Sequence, residues 1–129
     1  MSFYKIPFGA QVAYQFALVP AGQTVVLYRF GNWGFDFRAF IERIGLGPYC
    51  LPWGPDGIQF MWEIDGETVE VFNYQIAEIK NPKQFFDYYV AKVEIIWRVV
   101  NNSDDDHYCE VLCDGMLVMT PSARRKYRV

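Results

Sequence analysis

Ile58-Gln59-Phe60-Met61-Trp62-Glu63-Ile64-Asp65-Gly66-Glu67-Thr68-Val69-Glu70 is the stretch that decides the fold class. Its first seven residues alternate without a break. Ile58, Phe60, Trp62 and Ile64 fall on one side of an extended chain, and Gln59, Met61 and Glu63 on the other. Asp65-Gly66 follows, the dipeptide best suited to a type I′ turn, because both central residues of that turn need positive φ. The expected pairs across a two-residue loop are Ile64–Glu67, Glu63–Thr68, Trp62–Val69 and Met61–Glu70. The return strand is expected to run on to Ile79, where Asn81-Pro82 stops it.

The same signals recur on both sides. Gln11–Val19 alternates with Val12, Tyr14, Phe16 and Leu18 on one face, and Pro20-Ala21-Gly22 supplies a turn into Gln23–Phe30, expected to be its antiparallel partner. Tyr88–Asn101 reads as the longest strand, with Tyr89, Ala91, Val93, Ile95, Trp97 and Val99 on one face. A polar loop over 101–106 leads to His107–Cys113 and Met116–Thr120, separated by a second Asp-Gly turn at Asp114-Gly115. Residues 31–57 are rich in Gly and Pro and read as an irregular insertion. Within them Phe37, Phe40, Ile41 and Ile44 sit at helical spacing, with Asp36 as a cap and Gly45 as a stop, which predicts a short helix over 37–44 against an extended alternative. Seven or eight short strands with turns every 8 to 14 residues predict an all-β chain: an antiparallel β-sandwich of jelly-roll type.

Composition bounds the rest. The 129 residues make one domain, 52% hydrophobic and 21% charged, with an aromatic content of 19%. No apolar run is long enough to cross a bilayer as a helix. Met1–Pro7 lacks the charged-then-apolar pattern of a secretory signal, and the three cysteines, Cys50, Cys109 and Cys113, are expected to be reduced thiols in a cell interior. Cys109 and Cys113 would lie about 13 Å apart on one strand, too far for a disulfide. Charge is uneven. Residues 121–129 form a basic arm carrying Arg124, Arg125, Lys126 and Arg128, whereas residues 1–120, the sandwich domain, carry a net charge of −7. Such an arm suits an acidic protein surface or another copy of the chain; four charges are few for nucleic acid.

Chemistry-bearing residues are sparse. Asp104-Asp105-Asp106-His107 lacks the alternating ligands of a calcium loop and reads as a solvated acidic hairpin loop. His107, Cys109 and Cys113, with Cys50 as a fourth, are weighed as zinc ligands and read instead as ordinary side chains, so no metal or cofactor is expected. Glu63 and Glu70 are expected diagonally across the hairpin on one face, where a carboxylate pair could hydrolyse glycosides. Trp33, Phe35, Tyr49 and Trp53 in the glycine-rich stretch are candidates for partner anchors, sugar platforms or core cover.

Two segments carry a resemblance. Leu18-Val19-Pro20-Ala21-Gly22-Gln23-Thr24-Val25-Val26-Leu27-Tyr28 and Val93-Glu94-Ile95-Ile96-Trp97-Arg98-Val99-Val100-Asn101-Asn102, followed by Glu110–Gly115, resemble the turn-and-strand pattern of small β-sandwich structural proteins of viruses and bacteriophages, of minor capsid, decoration, penton or fibre-base type. The resemblance implies a non-enzymatic virion component, assembled in the host cytoplasm, that packs against copies of itself or other structural proteins. The interface candidates are Trp33, Phe35, Tyr49, Trp53, Arg124, Arg125, Lys126 and Arg128. The alternatives are a carbohydrate-binding module for host attachment and a small β-sandwich hydrolase, and a cytoplasmic location.

Overall fold

The structure, a computed structural model, describes residues 5–8 and 14–127. Nine strands appear among them: β1 (Lys5–Phe8), β2 (Tyr14–Val19), β3 (Thr24–Gly31), β4 (Phe37–Gly47), β5 (Ile58–Ile64), β6 (Glu67–Phe72), β7 (Lys83–Ala91), β8 (Glu94–Asn101) and β9 (His107–Met119). One short helix, α1 (Pro121–Tyr127), follows. The chain is all-β, in two antiparallel sheets. One has the order β1-β9-β4-β7, with β2 also paired to β9. The other has the order β3-β8-β5-β6. β1 and β2 lie end to end along β9, against residues 115–118 and 107–112 respectively. A single buried cluster takes Ala39, Ile41, Ile44, Leu46, Cys109 and Val111 from the first sheet and Ile58, Phe60, Trp62, Ile95, Trp97 and Val99 from the second. Burying such aromatic and branched side chains between two sheets is what an all-β chain has for a driving force.

The Ile58–Gly66 reading holds in detail. Ile58, Phe60 and Trp62 are buried, and Asp65 and Gly66 both take positive φ, 53° and 84°, as a type I′ turn demands. The pairs Ile64–Glu67 and Glu63–Thr68 form, but a bulge then sets Trp62 opposite Glu70 and Met61 opposite Val71, one residue off the expected register.

Residues 37–44 form no helix; they lie in β4, the strand between β9 and β7. The cause is a bulge. Ala39 and Ile41 point inward, Glu42 is skipped in the ladder with β9, and Ile44 and Leu46 point inward after it. A period of two interrupted by one extra residue imitates a spacing of three and four. The stretch read as an insertion therefore supplies a central strand.

Asp114-Gly115 is not a turn, since β9 passes through it unbroken opposite the same bulge. A Cβ on Gly115 would stand 1.8 Å from the Phe40 carbonyl oxygen, so the glycine serves a close backbone approach. Asp114, buried, receives Nε–H of Arg43 at 3.0 Å and a second N–H from the same guanidinium.

Three strand expectations change. The strand after Gly66 ends at Phe72 instead of Ile79. Tyr88–Asn101 breaks at Lys92-Val93, and its halves join different sheets. The Pro20–Gln23 turn likewise joins the two sheets instead of pairing β2 with β3. β2 also faces the other way: Val19 is fully buried, while Phe16 and Leu18 are exposed; the expected strand residues 11–13, Val12 among them, lie outside the described residues.

Residues 121–127 of the basic arm are helical. Pro121 occupies the first turn, the Thr120 Oγ1 accepts from the Ala123 N–H at 3.2 Å, and the Thr120 N–H donates to the Asp36 carbonyl at 2.7 Å. Ala123 is buried, which seats α1 against the body.

Candidate functional site

Strand direction sorts the connections into two ends of the molecule. Residues 32–36, the 65–66 turn, the 92–93 corner and the start of α1 lie at one. Residues 20–23, 48–57, 73–82 and 102–106 lie at the other. β4 separates them, and its 11 residues span roughly 35 Å when extended. The four loop aromatics are thereby divided and cannot form one patch.

At the first end, Trp33 donates its indole N–H to the Lys92 carbonyl at 2.9 Å, and its ring lies 5.2 Å from that of Phe30. It covers the core. Phe35, two residues on, is 94% exposed. Its loop is held by Arg38, whose guanidinium donates to the Phe35 and Phe37 carbonyls at 3.1 and 2.8 Å. The Asp36–Thr120 bond brings α1 to this end, so Phe35 and the helix bearing Arg124, Arg125 and Lys126 are neighbours. Arg125 is exposed; the side chains of Arg124 and Lys126, and Arg128 altogether, lie outside the description.

The hairpin turn organises this end. The Asp65 carboxylate accepts the backbone N–H groups of Lys92, Val93 and Glu94, at 2.9, 2.7 and 3.1 Å, where the chain crosses between sheets. Partial burial disfavours its charge, but the three N–H donors outweigh that and hold its pKa below the ordinary 3.8.

At the second end Trp53 stacks on Phe60, ring centroids 5.2 Å apart, and is again core cover. Tyr49 is 81% exposed. Beside it runs a groove of about 480 Å³, lined among others by Pro48, Tyr49, Gln75, Glu78, Ile79 and Glu110. Gln75 is committed within it, its amide donating to the Leu46 carbonyl at 2.6 Å. In the acidic loop the Asp106 carboxylate accepts the Ala21 N–H at 2.9 Å. Fully buried Asn101 organises that loop by donating to the Val19 and Asp105 carbonyls and accepting from Ser103.

The weighed constellations do not assemble. Among the described residues no three His, Cys, Asp or Glu side chains are placed to share a metal ion. Cys109 and Cys113 are buried in β9, and burial pushes both thiols up to about 12; Cys50 is exposed. Glu63 is ion-paired with Arg98, and the bulge sets Glu70 opposite Trp62, so the two carboxylates are not presented as a pair.

A third surface was not foreseen. Phe16 and Tyr108 stack at 4.9 Å with an interplanar angle of 2°, and Leu18 lies opposite Tyr108. All three are exposed on the outer face of the first sheet. The signal in the sequence is the run from Ile6 to Tyr28, which contains no charged residue. Comparison with protein-family models and with curated proteins finds no match for this chain.

Proposed function

We propose that the chain is a non-enzymatic structural component of a virion or similar large assembly, acting by protein–protein packing. The observation that carries this reading is the exposure of Phe35 and Tyr49, at 94% and 81%, on loops at opposite ends of the two-sheet body. Large aromatics held out from a scaffold suit burial in a partner's pocket, where anchors of this kind dominate binding energy. Position at both ends suits a subunit gripped from two sides. The basic helix beside Phe35 adds charge complementarity toward acidic neighbours.

We also read the two sheets as a jelly roll. If β1 and β2 count as one interrupted strand, eight strands remain, with sheet orders first-eighth-third-sixth and second-seventh-fourth-fifth. That is the arrangement of a rolled-up double Greek key, an architecture used by viral capsid and lectin domains. The fold alone names no function, and lectins keep the carbohydrate-binding reading alive. The specific observation behind it is the groove with exposed Tyr49 flanked by the Glu78 and Glu110 side chains.

The test is fractionation of the natural host lysate by density gradient, with detection of the chain by antibody. The chain should band with particles, and Phe35→Ala and Tyr49→Ala should shift it toward the top of the gradient. A chain found only among free proteins overturns the structural reading. Retention on a glycan array that is lost in Tyr49→Ala replaces it with the carbohydrate one.

A further inference from the structure

The edges of the two sheets are unequal. Among the described residues, five strands have no partner on one side: β1, β2 and β7 in the first sheet, β3 and β6 in the second. An open edge presents unpaired N–H and C=O groups and invites another strand, which proteins prevent with charges, prolines, bulges or short strands. β1 carries Lys5 and Pro7. β3 carries Arg29 and a bulge between Val26 and Tyr28. β6 carries Glu67 and Glu70 and borders the bulge at Trp62. β7 carries Lys83 and Asp87, and its ladder to β4 jumps from Tyr89 to Gln84. β2, Tyr14-Gln15-Phe16-Ala17-Leu18-Val19, has no charge and no proline, and it pairs with β9 over six consecutive positions without a shift. It also turns Phe16 and Leu18, 56% and 42% exposed, away from the core.

We infer that β2 is the edge at which two copies of this chain pair, antiparallel, joining their first sheets into one. The occupant follows from charge. The chain has a net charge of −3, and each of the other four edges carries charged residues that a second copy would have to match or desolvate. An isologous contact places a surface against itself, and β2 alone of these five edges does so with no charged residue. Geometry restricts the register. A two-fold axis normal to the sheet sets residues of like parity opposite each other, and the two most central registers of β2 place Phe16 opposite Phe16 or opposite Leu18 of the second copy. Both registers gather two Phe16 and two Leu18 side chains on one face, flanked by the Tyr108 rings that already stack on Phe16. The pairing stands independently of the virion reading, since it requires nothing but the chain itself.

Sedimentation equilibrium of the purified chain, from about 1 to 500 μM, tests it. A reversible monomer–dimer equilibrium is expected, as a short edge contact sits at the small end of stable interfaces. Leu18→Lys places like charges beside the axis and should raise the dissociation constant at least tenfold; Phe16→Lys should do the same. Both side chains are exposed, so circular dichroism should match the wild type, and melting should fall only by the surface packing lost, for Phe16 its stack on Tyr108. Val71→Lys, on the β6 edge, should leave the equilibrium unchanged. Amide exchange of residues 14–19 should slow as concentration rises. A chain that stays monomeric throughout, or a dimer broken by Val71→Lys and not by either β2 variant, overturns the inference. If Leu18→Lys unfolds the chain, Phe16→Lys and the concentration dependence of amide exchange decide.

Discussion

Asp65, although exposed, ties the hairpin turn to the crossover between the two sheets. It sits at positive φ in the hairpin turn, and its carboxylate holds the corner where the chain passes from β7 to β8. Its pKa is lowered in the folded state, so the stabilisation it adds is present above about pH 3.8 and is lost as pH falls through the lower folded value. Asp65→Asn keeps a residue suited to positive φ but removes the charge. It should cost about 1 kcal/mol at pH 6, a figure reduced for solvent screening, and the difference from wild type should narrow as pH falls below 3.8 in urea titrations. The cysteines offer a second check at this scale. With Cys109 and Cys113 buried and raised to about 12, a thiol reagent at pH 8 should find one reactive group in the native chain, Cys50, and three after denaturation.

Among the elements, β4 and β9 show how one inserted residue governs a reading. The Glu42 bulge disguised a strand as a helix, and the close approach it creates opposite Gly115 disguised a continuous strand as a turn. Two glycine substitutions separate close approach from turn chemistry. Gly115→Ala drives a methyl into the Phe40 carbonyl and should cost about 3 kcal/mol or more, beyond ordinary overpacking. Gly66→Ala meets open space and loses only backbone freedom at positive φ, so about 1 kcal/mol is expected. Chemical denaturation of the two variants side by side measures the difference. In β5 the alternation was legible because Ile58, Phe60 and Trp62 all pack inward, with Trp62 stacked on Trp97 at 5.1 Å. In β2 alternation was equally visible but its sign was not. Aromatic residues on the outward face outranked Ala17 and Val19 on the inward one, so apolar size pointed the wrong way. A surface strand that meets another chain breaks the rule that the larger apolar face is the buried one.

For the whole molecule, the end-to-end division matters most. Phe35 with α1 at one end and Tyr49 with the groove at the other make two separately addressable surfaces, and β2 makes a third along the side. Replacing Arg125, exposed on α1, by alanine should leave melting within about 1 °C of wild type, because surface changes away from packed features are nearly neutral. The same change should weaken incorporation into particles, read by the density gradient. A truncation at Pro121 is a poorer probe, since it also removes buried Ala123.

The sequence by itself determined the all-β class, the Asp65-Gly66 hairpin and the inward face of β5, because these depend on neighbours a few residues apart: side-chain alternation and the φ needs of a tight turn. It also marked Phe35 and Tyr49 as aromatics on loops, though not that Trp33 and Trp53 would turn inward to cover the core. Tertiary structure alone decided which strands share a sheet, where ladders slip by a residue, and which face of β2 meets water. Those outcomes rest on contacts between segments far apart in the chain, where burial of one surface against another selects among local patterns that are equally well formed.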